Sequence, residues 1–216
     1  MELIFGTGNP GKLALMKEYL EGMDIELTDL SHLDHDLGEP EECGKTPLEN
    51  AREKAEYYYE KLKRPVFSCD SGLLIEGLST QEQPGVHVRV KDGIRMTDGQ
   101  MTAYYSGIAH RLGGCCRARY QNAVCLILSE TKRYEYDGED IGGEAFYLVD
   151  RAKEQKEEGF PLDCISVDIK TGRYFVDEEY IPCFDGQRKG MREFFQRALE
   201  DYGAGVNRNE RKYIRK

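Results

Sequence analysis

Apolar residues recur along this chain in two ways, as short runs or alternations that mark strands and at helical spacing that marks helices. Leu3-Ile4-Phe5 is a brief buried-strand run, closed by Gly6-Thr7-Gly8-Asn9-Pro10-Gly11-Lys12. A helix follows from Lys12 to Leu20, with apolar residues at 13, 16, 19 and 20. Asp24 to Leu30 alternates like a half-exposed strand. Leu48, Ala51, Ala55, Tyr58, Tyr59 and Leu62 then form a stripe on a strongly specified helix. It starts at Thr46-Pro47-Leu48-Glu49, a capping box with proline at the first helical position, and ends before Pro65. Pro65 to Cys69 reads as a strand that stops at Asp70-Ser71-Gly72, with Leu73-Leu74-Ile75 as a separate run beyond it.

The second half continues the pattern. A helix is expected from about Thr97 to Leu112, carried by Met101, Tyr104, Tyr105, Ile108 and Leu112. Arg117 to Ser129 holds the most strand-like run, Ala123 to Leu128. Lys132–Tyr136 and Ile141–Val149 read as further antiparallel strands, joined by the turn Asp137-Gly138-Glu139-Asp140. Phe160-Pro161-Leu162-Asp163 interrupts the pattern before a strand at Cys164–Asp168, and Thr171-Gly172 turns into Tyr174-Phe175-Val176. A last helix, about Gln187 to Tyr202, carries Met191, Phe194, Phe195, Ala198 and Leu199 on one face and is ended by Gly203-Ala204-Gly205. The domain expectation is therefore α/β, one unit over residues 1–202 with two lobes around a central cleft. Residues 203–216 form a basic, flexible tail.

Composition narrows the function. With 39% hydrophobic and 32% charged residues over 216 positions, the chain has a real core and a soluble-type surface. No apolar run approaches the roughly 20 residues of a membrane helix, and the acidic start Met1-Glu2 does not read as a signal peptide. Seven cysteines, an odd number without a C-x-x-C pair, fit reduced thiols and a cytoplasmic location. A net charge of −10 argues against a nucleic-acid binder, so a polyanionic ligand would need a local cluster of cations or a metal.

The first strand–loop–helix junction offers such a cluster. Asn9 is a good N-cap, Pro10 fits the first helical position, and the free amides of a helix start form an anion site. Lys12 adds a cation in the first turn, where it opposes the helix dipole and so has another reason to be there. Glu41 and Glu42 stand just before the capped helix, and Asn50 and Lys54 share a face of it at i and i+4. The His32/His35 pair reads as solvated loop surface rather than a metal site. Asp70-Ser71-Gly72 in isolation reads as a tight turn, while at the end of a strand in an α/β sheet it is also placed to meet a ligand.

The order of these motifs resembles the inosine triphosphate pyrophosphatase, or Ham1-like, family. Thr7-Gly8-Asn9-Pro10-Gly11-Lys12, Glu41-Glu42, Glu49-Asn50-Ala51 with Lys54-Ala55, Asp70-Ser71-Gly72-Leu73 and Pro84-Gly85-Val86 carry the resemblance. It implies an elongated mixed, curved sheet flanked by helices, a homodimer, and magnesium-dependent hydrolysis of deaminated purine triphosphates (ITP, dITP, XTP) to monophosphate and pyrophosphate. Thr7, Gly8, Asn9, Gly11, Lys12 and Ser71 would bind substrate, with Lys54 and Asp70 catalytic. Asp70 with Glu41 or Glu42 would hold magnesium, Asp70 also acting as general base.

The second half departs from the family pattern. Its phenylalanine-glycine-aromatic-aspartate-proline segment corresponds to Phe160-Pro161-Leu162-Asp163-Cys164, keeping Phe160 and Asp163 for the base pocket. Its serine-histidine-arginine signature corresponds to Gly186-Gln187-Arg188, keeping Arg188, and Arg89 is the counterpart of an arginine after the proline-glycine. Two other readings follow from these departures, a pyrophosphatase for a modified or pyrimidine nucleotide and a nucleotide-binding module weak in catalysis.

Overall fold

The computed structural model describes residues 1–33, 37–155, 157, 159–180 and 184–213, with side chains to residue 204. A seven-stranded mixed sheet forms the centre. Strand β1 (Glu2–Phe5) pairs in parallel with both β2 (Glu26–Asp29) and β3 (Val66–Ile75). Beyond β3 every pairing is antiparallel: β3 with β6 (Cys115–Ser129), then β6 with β7 (Lys132–Tyr136) and β8 (Phe146–Val149), and β8 with β9 (Ser166–Asp168). A small hairpin, β4 (Val90–Lys91) with β5 (Ile94–Arg95), stands apart.

Helix α1 (Pro10–Tyr19) starts as its residues dictate, with Asn9 accepting from the amide of Lys12 and Pro10 at the first position. Helix α2 (Pro47–Leu62) has both halves of its capping box formed between Thr46 and Glu49. Helix α3 (Asp98–Arg111) has a second capping box, Thr97 with Gln100. Helix α4 runs from Asp185 to Tyr213.

The sheet buries both faces. Phe5, Phe67 and Leu126 pack with Tyr19 of α1 and Phe194 and Phe195 of α4 on one side. Ile4, Val66, Ala123 and Cys125 pack with Ala51, Ala55 and Tyr58 of α2 on the other. A third cluster joins the far ends of β3 and β6 to β8 and α3, through Leu73, Ile75, Tyr105 and Leu148.

Three expectations are corrected. Asp70-Ser71-Gly72 does not end a strand: β3 continues through it as ten residues, because β6 supplies an unbroken partner from Val66↔Ile127 to Ile75↔Ala118. The strand expected at 141–149 begins only at Phe146, since Glu139–Ile141 coils into a 3₁₀ turn. Helix α4 is not stopped at Gly203-Ala204-Gly205 and extends to Tyr213, because interior glycine weakens a helix by about 1 kcal/mol without removing its hydrogen bonds. Among the described residues no helix is long and apolar enough to cross a membrane, and the six described cysteines are free.

Candidate active site

Period-2 alternation along β3 turns Val66, Ser68 and Asp70 toward α2, and Phe67, Cys69 and Ser71 to the opposite face. Asp70 is only 6% exposed, opposite Ala123 of β6. Helix α2 crosses this face and delivers two side chains one turn apart. Lys54 Nζ donates to Asp70 Oδ1 at 2.8 Å, and Asn50 Nδ2 donates to Asp70 Oδ2 at 3.1 Å. Glu42, from the stretch before α2, brings Oε1 to 3.1 Å from the same Lys54 Nζ. The Lys54 ammonium thus lies between two carboxylates. Burial depresses its pKa, but the paired charges and hydrogen bonds of Asp70 and Glu42 outweigh burial and raise it.

Lys12 faces the same group from the start of α1. Burial and then the Lys54 ammonium hold its pKa below the ordinary lysine value, against the pull of Asp70, Cys69 and Glu42. Two cations held close, one of them disfavoured, define a place that an anion would stabilise. The Cys69 thiol beside them is pushed up to about 12 by burial, which removes it as a nucleophile at neutral pH.

The loop between β1 and α1 is tied to the segment around Gly159 and Phe160. Asn9 accepts from the Lys12 amide at 3.1 Å through Oδ1 and donates through Nδ2 to the Gly159 carbonyl at 3.2 Å. The amide of Asn9 donates to Thr7 Oγ1 at 3.2 Å, which shapes the turn around Gly8. The ring of Phe160 lies so close on Gly11 that a Cβ there would stand 2.3 Å from Phe160 Cε2. Gly11 is therefore required by contact, and Phe160 is brought to the phosphate-type loop. A cavity of about 540 Å³ adjoins Gly8 over the carboxyl ends of β1 and β2, lined also by Leu30, Ser31, Gly38, Glu39 and Tyr58.

Asp163 opens the 3₁₀ turn after Phe160, its amide donating to the Phe160 carbonyl at 3.1 Å. Burial, and then the Glu157 carboxylate, push its carboxyl up to about 7. Tyr120 senses it: burial, then Asp163, raise the phenol above its ordinary value.

The other candidates make different contacts. Ser71 is half-buried on the face of β3 away from Asp70. Glu41 is exposed, and of the pair it is Glu42 that joins Lys54. Arg188 pairs with Glu18 of α1, and its Nε is buried with no partner among the described residues. Arg89 pairs with Asp98 at 2.6 Å. His32 is exposed beside Asp29, Nδ1 to Oδ1 at 3.0 Å, and His35 lies outside the described residues.

Asn50, 2% exposed on α2, stands in the Glu49-Asn50-Ala51 motif, but motif reading gave it no role in the site. The signal was its i, i+4 relation to Lys54 combined with a polar side chain beside the apolar stripe. Its Oδ1 is buried and unpartnered among the described residues, a situation that costs about 1–3 kcal/mol.

A mixed sheet with a capped phosphate-type loop and a lysine-bridged carboxylate pair defines a class of α/β protein suited to a polyanionic ligand. The model of the Ham1 family matches residues 3–165, and the chain belongs to that family. A protein of Thermus thermophilus named dITP/XTP pyrophosphatase is 30% identical over 178 residues, covering 82% of this chain and 81% of its own. One of Aquifex aeolicus with the same name is 41% identical over 87 residues, 40% of each chain. Among solved structures, a HAM1 protein from Coxiella burnetii superposes with a TM-score of 0.67 at 21% identity, over 96% of this chain and 99% of that one. The Staphylococcus aureus Ham1 protein gives 0.60 at 21% identity, over 95% and 100%.

Proposed function

We propose that this chain is a magnesium-dependent nucleoside triphosphate diphosphatase that hydrolyses deaminated purine triphosphates to the monophosphate and pyrophosphate, clearing them from the nucleotide pool. One observation carries the reading: Asp70 is fixed on a buried strand between Asn50 and Lys54, with Lys54 shared by Glu42 and Lys12 close by. The names of the Thermus and Aquifex relatives support the same substrate class. A homodimeric, cytoplasmic enzyme belongs to this reading.

The donor set fits magnesium. Among the described residues no three of His, Cys, Asp and Glu converge, but magnesium commonly takes one or two carboxylates and completes its shell with water and phosphate oxygens. Asp70 and Glu42 would hold it, and when bound it supplies charge neutralisation to the phosphates. The chain's own groups do the rest. The amides of the Gly8–Lys12 loop and the Lys12 ammonium bind phosphate oxygens. Lys54 balances the charge that builds as the bond to pyrophosphate breaks. Asp70, held by Lys54 and Asn50, orients the water that attacks the α-phosphorus and takes its proton.

Asp70→Asn keeps the shape and removes the charge, so it should lower turnover at least about 100-fold in a protein that stays folded. Pyrophosphate release is measured with standard and deaminated nucleoside triphosphates, with and without magnesium. Near-normal turnover by Asp70→Asn would sink the assignment.

A second reading, a different base, is favoured by Leu162. At the position where the family resemblance calls for an aromatic ring, Leu162 is buried in the core with Tyr105 and Ile165. The same panel decides, since activity confined to another base selects this reading.

A further inference from the structure

We propose that Asn50 is a positioning residue for the reaction, acting through Asp70 by holding one oxygen of its carboxylate. The inference rests on the reading of Asp70 as the reacting carboxylate. Asn50 is 2% exposed inside α2, next to Ala51 on the face that packs on the sheet. A residue serving only the core there would be apolar. Instead the chain keeps an amide whose Oδ1 has no partner among the described residues. Gly44 closes over that oxygen, since a Cβ at Gly44 would stand 2.4 Å from it. The amide is therefore retained for its other end, Nδ2, which donates to Asp70 Oδ2. That contact also fixes which way the amide faces, because turning it over would set two acceptors against each other.

The two partners of Asp70 differ in kind. Lys54 is shared with Glu42, and a bound triphosphate would compete for its ammonium as well. The side chain of Asn50 serves Asp70 alone among the described residues. Asn50 is thus the fixed point that keeps the carboxylate plane oriented when Lys54 turns to phosphate. Removing it frees rotation of the carboxylate without touching Lys12 or the Gly8–Lys12 loop, so turnover should fall and the substrate requirement should stay.

The test uses the whole chain with Asn50→Ala and Asn50→Leu, the second keeping the branched side-chain shape without a donor. Each should lower kcat about 10- to 100-fold, the range for groups that orient a ligating residue, with KM changed less than about threefold. In an Asp70→Asn background, Asn50→Ala should cost less than about a further twofold, because its route is gone. Binding of manganese, titrated by electron paramagnetic resonance with a non-hydrolysable α,β-methylene triphosphate analogue present, should weaken about tenfold in both single variants. A kcat within twofold of wild type would overturn the proposal, as would an equal loss in the Asp70→Asn background. Collapse of the fold in both variants would assign Asn50 to the core and overturn it too. A wild type that releases no pyrophosphate overturns the parent reading, whereas an active wild type silenced by Asp70→Asn but indifferent to Asn50 overturns this proposal alone.

Discussion

Asp163 makes the stability of this protein depend on pH in a direction opposite to that of most carboxylates. Its carboxyl is raised from an ordinary value of 3.8 to about 7, first by burial and then by Glu157. The unfolded chain releases this proton near pH 4, while the folded chain keeps it until about 7. Through that window the native state binds more protons than the unfolded state, so stability falls as pH rises and then levels off. A difference of roughly three pH units, at about 1.4 kcal/mol each, corresponds to a loss of about 4 kcal/mol at pH 8. The side chain is only partly buried, and solvent at its rim trims this to about 2–3 kcal/mol. Asp163→Asn removes the ionisation and nearly preserves the shape. The variant should therefore be about 2–3 kcal/mol more stable than wild type at pH 8, and only about 1 kcal/mol more stable at pH 4.5. Urea titrations of both proteins at half-unit pH steps from 4.5 to 9 read this directly. A gap that is the same at both ends, or one that shrinks with rising pH, refutes the reasoning.

The remaining predictions concern the phosphate side. Gly11→Ala drives a methyl into the Phe160 ring and should cost about 1–3 kcal/mol in urea unfolding. Much of that loss should return in the double variant with Phe160→Leu; simple additivity would deny the contact its importance. Lys54→Met leaves Asp70 and Glu42 without the ammonium between them, and should lower kcat at least about tenfold and stability by about 1–3 kcal/mol, with magnesium restoring part of the stability. Because the Lys54 pKa is raised, its stabilisation of the wild type is complete below pH 10.5 and fades only above it, so the wild-type–Met gap should be flat from pH 6 to 9. Unchanged turnover in this variant would reduce Lys54 to a structural cation.

Local chemistry made some elements readable in the sequence. Asn9 with Pro10, and Thr46 with Glu49, announce helix starts through bonds a few residues long, and both formed as written. Asp70-Ser71-Gly72 misled as to its conformation, because its composition is that of a turn and its extended state is imposed by β6, remote in sequence. Arg188 was assigned to the nucleotide by motif position, yet where it lands depends on how α4 packs on α1, where Glu18 takes it. Glu42 could not be told from Glu41 in sequence, since only the path of the chain into α2 decides which one reaches Lys54. Asn50 needed the depth of α2 against the sheet to be seen as more than a neighbour of Lys54.

The uninterrupted β3–β6 ladder has a consequence for how the site is lost. Asp70 lies in the middle of ten paired residues, under α2 and clear of either fraying end. Its amide belongs with those that exchange with solvent only when the whole molecule opens. Glu42 lies on an irregular segment ahead of α2 and can detach by local opening alone. One carboxylate is thus tied to the sheet, and the other to an irregular segment whose opening would not require the sheet to part.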